Sequence, residues 1–294
     1  MTSPTEFRRR FVERLGIGPA WRDAFLDVPR EDYLGTFTVR RGTWLLTYRP
    51  GEEGYLRGVY EDTAVGDELR PSHLVLLLDA LPAEGPLHHV GPAEGYTRAL
   101  VADRLGARAP FDGLLATEAV ERIPEAWRQE VRPGGVIAAR LGNALVALTV
   151  GEDGGAEGPL LPGMVRLPPL GEVRLPDAEG RRSSAVLPDP AGDMPRLLCQ
   201  LARPNVEMGV PDGTLRHFRD RTDGSWARLV RRGGGAVDID SGGPRDLIGE
   251  LTPLLTHWAE NDRPGPGSYG LTIHPDGHHT LWFTTPDGPR WPLT

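Results

Sequence analysis

One run of about thirty residues constrains the fold more than any other part of the chain, because it has the length of a βαβ unit. Leu87 to Val90 reads as a short strand and Gly91-Pro92-Ala93-Glu94-Gly95 as a turn bounded by glycines. Tyr96 to Leu105 reads as a helix and Phe111 to Thr117 as a second strand. Strands joined by a helical crossover lie parallel in one sheet, so the run predicts an open α/β layer. The elements around it extend that layer. The helix over 71–81 is one that Pro71 can start and Pro82 ends. A short helix falls near 124–130, the turn Pro133-Gly134-Gly135 leads into a strand over 136–140, and Ala144 to Val150 supplies another.

Upstream, residues 5–16 and 19–27 have helical spacing, with Phe7, Phe11, Leu15, Trp21 and Phe25 as a buried face, and Val28-Pro29-Arg30 breaks the pattern. Residues 36–48 and 51–58 read as short strands or loops. Residues 1–150 are therefore expected to form one α/β domain, and the Gly- and Pro-rich stretch 151–195 a linker or irregular arm. Residues 196–294 are expected to form a smaller, partly β module. In it, 197–202 reads as a strand, 223–230 stands out as a DGSWA-type segment, and 244–259 reads as a helix. A terminal hairpin turns at Pro275-Asp276-Gly277, and a second turn follows at 286–288.

Composition narrows the chemistry. All 33 basic residues are Arg, so no lysine amine is present for a Schiff base, a phosphate-loop contact or general-base work. The lone cysteine, Cys199, excludes an internal disulfide and a cysteine-rich zinc site, and its apolar surroundings make it a core residue. A net charge of -8 argues against nucleic acid as a partner. The longest apolar run, Leu74 to Leu78, is too short for a membrane span. Met1 to Arg10 lacks the apolar core of a signal peptide, so a cytoplasmic location is expected.

Several segments, taken in order, carry a resemblance. They are AFLDVPREDYL (24–34), VYED (59–62), PSHLVLLLDAL (71–81), VGPAEGYTRALVADRLG (90–106), APFDGLLATEAVERIPEAW (109–127) and VRPGGVI (131–137). Over residues 7–150 the sequence resembles protein L-isoaspartate O-methyltransferases. The C-terminal stretch YGLTIHPDGHHTLWFTTPDGPRWPL resembles the extension of homologues that tailor ribosomally made peptides, in lanthipeptide and ATP-grasp-peptide clusters. The resemblance implies a Rossmann-like methyltransferase sheet, a site for S-adenosylmethionine (SAM) at the glycine turn, and a peptide substrate.

Three departures bear on that cofactor. In such enzymes an acidic residue closes the strand before a G-x-G-x-G turn. Here His89 holds that place and Ala93 replaces the middle glycine, leaving Gly91 and Gly95 as a degenerate remnant, while Pro92 removes an amide donor. The strand, helix and strand that would carry the ribose-binding acid are missing, because Gly106 to Ala109 leads at once into Pro110-Phe111-Asp112. The sheet is therefore expected to lack an edge. A direct crossover to 111–117 is further expected to place the helix 96–105 on the face opposite to its position in the family. Finally, the serine-rich segment before the 71–81 helix is replaced by Asp67-Glu68-Leu69-Arg70.

The candidate catalytic residues are His88, His89, Tyr60, Asp62 and Glu118, and the candidate substrate-binding residues are Glu61, Arg70, His73, Tyr96 and Thr117. The two histidines and Thr117-Glu118 close strands at the sheet end where open α/β folds bind ligands. Adjacent strand residues face opposite ways, however, so the plainer alternative puts one histidine in the core and the other in solvent. Tyr60, Glu61 and Asp62 match the family's substrate-proximal segment, with a solvated turn as the alternative. His274, His278 and His279 flank the terminal hairpin turn without an acidic cluster, so no metal is assigned. No cofactor is expected. The resulting expectation is a cytoplasmic peptide-tailoring protein that binds a precursor peptide, in the company of other tailoring enzymes. It would perform or assist a SAM-independent step, such as acid/base-catalysed cyclisation without zinc. The alternatives are a non-catalytic peptide-binding partner of another enzyme and a surviving SAM-dependent peptide methyltransferase.

Overall fold

The computed structural model describes residues 3–66, 68–167, 169–177 and 179–293. The chain forms two compact units, one running to Val165 and including Ile273–Gly277, the other comprising Arg166–Thr272 and the residues from His278.

The first unit opens with helices α1 (Pro4–Leu15) and α2 (Pro19–Asp27). Ser3 caps α1 by accepting the Glu6 amide at 3.2 Å, Pro4 occupies the first turn, and Gly16 ends the helix at φ 62°. A hairpin of β1 (Phe37–Arg41) and β2 (Trp44–Tyr48) follows, and then the short helix α3 (Tyr55–Val59), in a segment expected as strand or loop. The remaining elements are α4 (Pro71–Ala80), β3 (Leu87–Val90), α5 (Tyr96–Leu100), β4 (Phe111–Val120), α6 (Glu125–Glu130), β5 (Val131–Leu141), β6 (Ala144–Val150) and β7 (Ala156–Met164).

Their strands lie in the order β7-β6-β5-β4-β3. β3, β4 and β5 are parallel, whereas β5, β6 and β7 pair antiparallel. The fold is thus α/β with a mixed sheet, and β3 is its edge strand. One face of the sheet, carrying Leu87, Leu115, Ala138 and Leu145, packs in a single buried cluster with Leu74, Leu77 and Leu78 of α4, Phe11 of α1, and Trp21 and Phe25 of α2.

The route from β3 to β4 corrects the expected direct crossover. Helix α5 is one turn long, and its Tyr96 and Leu100 join the same cluster as α4, so α5 and α4 cover one face. Beyond it the chain passes along the free edge of β3. There Leu105 bridges Leu87 in parallel, and the Gly106 amide donates to the Leu87 carbonyl at 2.9 Å. Since β4 pairs with the other edge of β3, the crossover first goes outward to a one-residue stub of a strand. Only then does it return through 107–110.

The second unit contains β8 (Arg181–Val186), α7 (Asp193–Ala202), β9 (Val206–Gly209), β10 (Leu215–Asp220), β11 (Trp226–Arg231), β12 (Ala236–Gly242) and α8 (Leu247–Glu260). β13 (Tyr269–Ile273), β14 (His279–Phe283) and β15 (Arg290–Leu293) end the chain. Five of these strands form an antiparallel sheet in the order β8-β12-β11-β10-β9, and β14 pairs antiparallel with β15. Residues 197–202, expected as a strand, are helical. Leu197, Leu198, Cys199, Leu201 and Ala202 are all buried, so no period distinguishes helix from strand, and Pro195 in the first turn favours the helix. The stretch 151–195, expected as a linker, carries β7 and β8.

Candidate functional site

The carboxyl ends of β3, β4 and β5 bring part of the expected site together. In β3, alternation sends the two histidines apart. His89 shares the face of Leu87 and is 7 % exposed, and neither ring nitrogen has a hydrogen-bond partner. Burial pushes its pKa down to about 4, helped by the charge of Arg98 and by His88, so the ring is neutral at neutral pH. His88 points to the other face, where its Nδ1 lies 2.7 Å from Glu130 Oε2 and its ring packs against Phe111 with centroids 5.0 Å apart. That pairing removes His88 from the side bearing His89.

Gly91 is where His89 meets Thr117. A Cβ at Gly91 would stand 2.6 Å from Thr117 Oγ1 and 2.9 Å from His89 Nε2, so the turn has no room for a side chain there. Thr117 is buried, and Glu118 is exposed in the irregularity between Ala116 and Ala119. His73, in the first turn of α4, belongs to a second group. It is half-buried, and burial lowers its pKa, reinforced by Arg70 and Arg140 and opposed by Asp62.

The other expected residues have structural roles. Asp62 accepts the Ser72 amide at 2.8 Å and so caps the first turn of α4. Tyr60 is 3 % exposed, packs edge-on to Phe11 at 5.4 Å, donates its hydroxyl to Glu31 and accepts from Arg8 at 3.2 Å. Burial raises its pKa well above that of a free phenol, so it is a core residue and not a free acid or base. Glu61 pairs with Arg41. Tyr96 is buried against Phe25, with a pKa likewise raised by burial.

Two residues that sequence reasoning did not single out organise the glycine turn. Arg30 is 1 % exposed and donates to the carbonyls of Val59 at 2.6 Å and Glu61 at 3.2 Å, with its guanidinium over the rings of Tyr96 and Phe11. Glu68, from the segment where a serine was expected to be missing, turns its carboxylate towards the glycine turn and the Tyr96 backbone, with Oε1 3.8 Å from where a Cβ on Gly95 would stand. Its carboxylate also lies 3.9 Å from Arg30. Burial raises its pKa in spite of both partners. Asp67 lies outside the described residues. The available signal was local: an acidic residue just before a helix, and an Arg after a helix-ending proline.

A further feature of this unit is the β1–β2 hairpin. Trp44, Leu45 and Leu46 on β2 are 75 %, 63 % and 41 % exposed. Residues 36–50 include Arg40, Arg41 and Arg49 and no acidic residue, and the hairpin carries no third strand among the described residues. Among the described residues no group of three or more His, Cys, Asp or Glu converges as a metal site requires, and no helix is long and apolar enough to cross a membrane.

No family model and no curated protein matches this sequence. Among solved structures, a protein-L-isoaspartate O-methyltransferase aligns over 95 % of this chain and 100 % of its own. The sequences are 14 % identical and the TM-score is 0.47.

Proposed function

We propose that this chain is a methyltransferase-like, peptide-binding protein that works without SAM and holds a ribosomally made precursor peptide for a partner tailoring enzyme in the cytoplasm. The observation that carries this reading is the Glu68 carboxylate beside the glycine turn, 3.9 Å from the buried Arg30 guanidinium. In the family that the sequence resembles, the glycine turn meets the cofactor. Here a carboxylate from the chain itself stands beside that turn and adds negative charge there. The hairpin supports the peptide half of the reading. An exposed apolar strand flanked by Arg side chains suits an extended, acidic and apolar peptide added as a third strand. The engagement of Tyr60, Asp62 and His88 in structural contacts favours delivery over catalysis.

One observation favours a second reading, in which the protein itself performs an acid/base step on the peptide. His73 is half-buried, is held neutral near physiological pH, and sits among Arg70, Arg140 and Asp62. Calorimetric titration with SAM and S-adenosylhomocysteine tests the cofactor claim, and micromolar binding of either overturns it. Co-expression with the precursor peptide separates the rest. A peptide changed only when the partner enzyme is present supports delivery. Mass-neutral loss of a free thiol without that partner supports cyclisation by this chain. A mass gain of one methylene would establish methyl transfer and refute both.

A further inference from the structure

The second unit holds a cleft of about 410 Å³, unrelated to the residues considered so far, between the segment 169–173, helix α7 and strands β9 and β10. Its wall is mixed, with Val173, Met208 and Phe218 as an apolar part. The Val173 carbonyl lies 2.8 Å from His217 Nδ1, and the Val210 amide donates to Gly171 at 3.1 Å, so the covering segment is pinned to the sheet.

Arg196 lines this cleft and is 8 % exposed. Its Nε is enclosed without an acceptor, and its side chain has no hydrogen bond or ion pair among the described residues. The other buried arginines are all engaged. Arg30 donates to carbonyls, Arg128 to the Gly154 carbonyl, and Arg216 to both carboxylate oxygens of Asp189 at 2.9 Å. Burial disfavours the Arg196 charge, and only Asp193 offsets this. A buried N–H with no acceptor costs stability, and that cost is recovered when an anion reaches the guanidinium. One helical turn further on, Gln200 lines the same cleft, and its Oε1 is buried without a donor. The cleft is therefore flanked by a guanidinium with an unmet Nε–H and, beside it, an unmet acceptor.

We propose that this cleft binds the C-terminal residue of a peptide ending in an apolar side chain. The terminal carboxylate accepts from Arg196, the amide N–H of that residue donates to Gln200 Oε1, and the side chain packs against Val173, Met208 and Phe218. Glu172, Glu207 and Arg221 stand at the exposed rim. The site deepens the peptide reading given above, but its test needs neither SAM nor a tailoring partner.

Calorimetry on the full chain with N-acetyl-leucine, N-acetyl-leucinamide and isocaproate tests it. N-acetyl-leucine is expected to bind about tenfold or more tightly than the amide, which lacks the charge. It is also expected to exceed isocaproate, which lacks the N–H; equal binding of those two would point to free apolar acids and overturn the peptide source. Arg196→Met is expected to abolish binding while leaving the melting temperature unchanged or higher, because it removes a buried N–H that has no acceptor. A lower melting temperature would give Arg196 a packing role and overturn the proposal. Gln200→Leu, which leaves Arg196 in place, is expected to erase the preference over isocaproate. Failure of N-acetyl-leucine to bind at millimolar concentration overturns this site and leaves the SAM titration to judge the first unit.

Discussion

Replacing His89 by leucine tests how the carboxyl end of β3 is built. His89 stands opposite Leu115 in the parallel ladder, is 7 % exposed, and has two ring nitrogens without partners. Its folded-state pKa is about 4, against a usual value of about 6.5 in an unfolded chain. As pH falls through this window the unfolded chain takes up the proton first. The stability present above pH 6.5 is therefore lost progressively towards pH 4. From those two values the loss at about pH 4.5 is about 2.5 kcal/mol relative to neutral pH or slightly less. Leucine does not titrate, so His89→Leu should lack this part of the acid limb. At neutral pH the variant should also gain about 1 kcal/mol, because it removes buried polar atoms that have no partner. Since the chain has two compact units, a global melt would mix them. Hydrogen exchange of β4 amides at about pH 7 and about pH 4.5, corrected for intrinsic rates, reads the first unit alone. Parallel loss of protection in the two proteins, or a variant less stable at neutral pH, would refute the reasoning.

Other substitutions probe the remaining assignments. Asp62→Ala should cost about 1 kcal/mol through loss of the cap on α4, seen as faster exchange of the Ser72 and His73 amides. Tyr60→Phe should destabilise the first unit by about 1–2 kcal/mol, since Glu31 and Arg8 both lose their shared hydroxyl, while peptide modification in co-expression stays unchanged. Trp44→Ser, at an exposed hairpin position, should shift stability by no more than about 0.5 kcal/mol. It should weaken binding of an acidic, apolar peptide about tenfold by fluorescence anisotropy; unchanged affinity would remove the hairpin from the binding surface.

The legible parts of the fold were those with hard local boundaries. The strands Leu87–Val90 and Ala144–Val150 coincide with their expected ranges because glycines or prolines close each apolar run. Helix α4 starts at Pro71 as expected. Helix α7 was misread because its apolar residues are buried all round. β7 was hidden because Gly158, Pro159, Pro162 and Gly163 within it look like loop composition. In the candidate site, the divergence of His88 and His89 follows from strand alternation and needs no tertiary information. The burial of Tyr60 does not, since it depends on Arg8, Phe11 and Glu31 from two other elements. The same holds for Arg30 and Glu68, whose partners at Val59, Glu61 and Tyr96 come from separate segments.

The short edge of the sheet and the Glu68 contact bear on the same question from two sides. Beyond β3, among the described residues, the chain adds the one-residue Leu105 bridge to the sheet edge. On the near side, Glu68 faces the glycine turn 3.9 Å from Arg30, which donates to the Val59 and Glu61 carbonyls. Ala93 and Glu94 are exposed. Replacing Ala93 by glycine would therefore change an exposed part of the turn and leave the Glu68 charge and the Leu105 edge as they are.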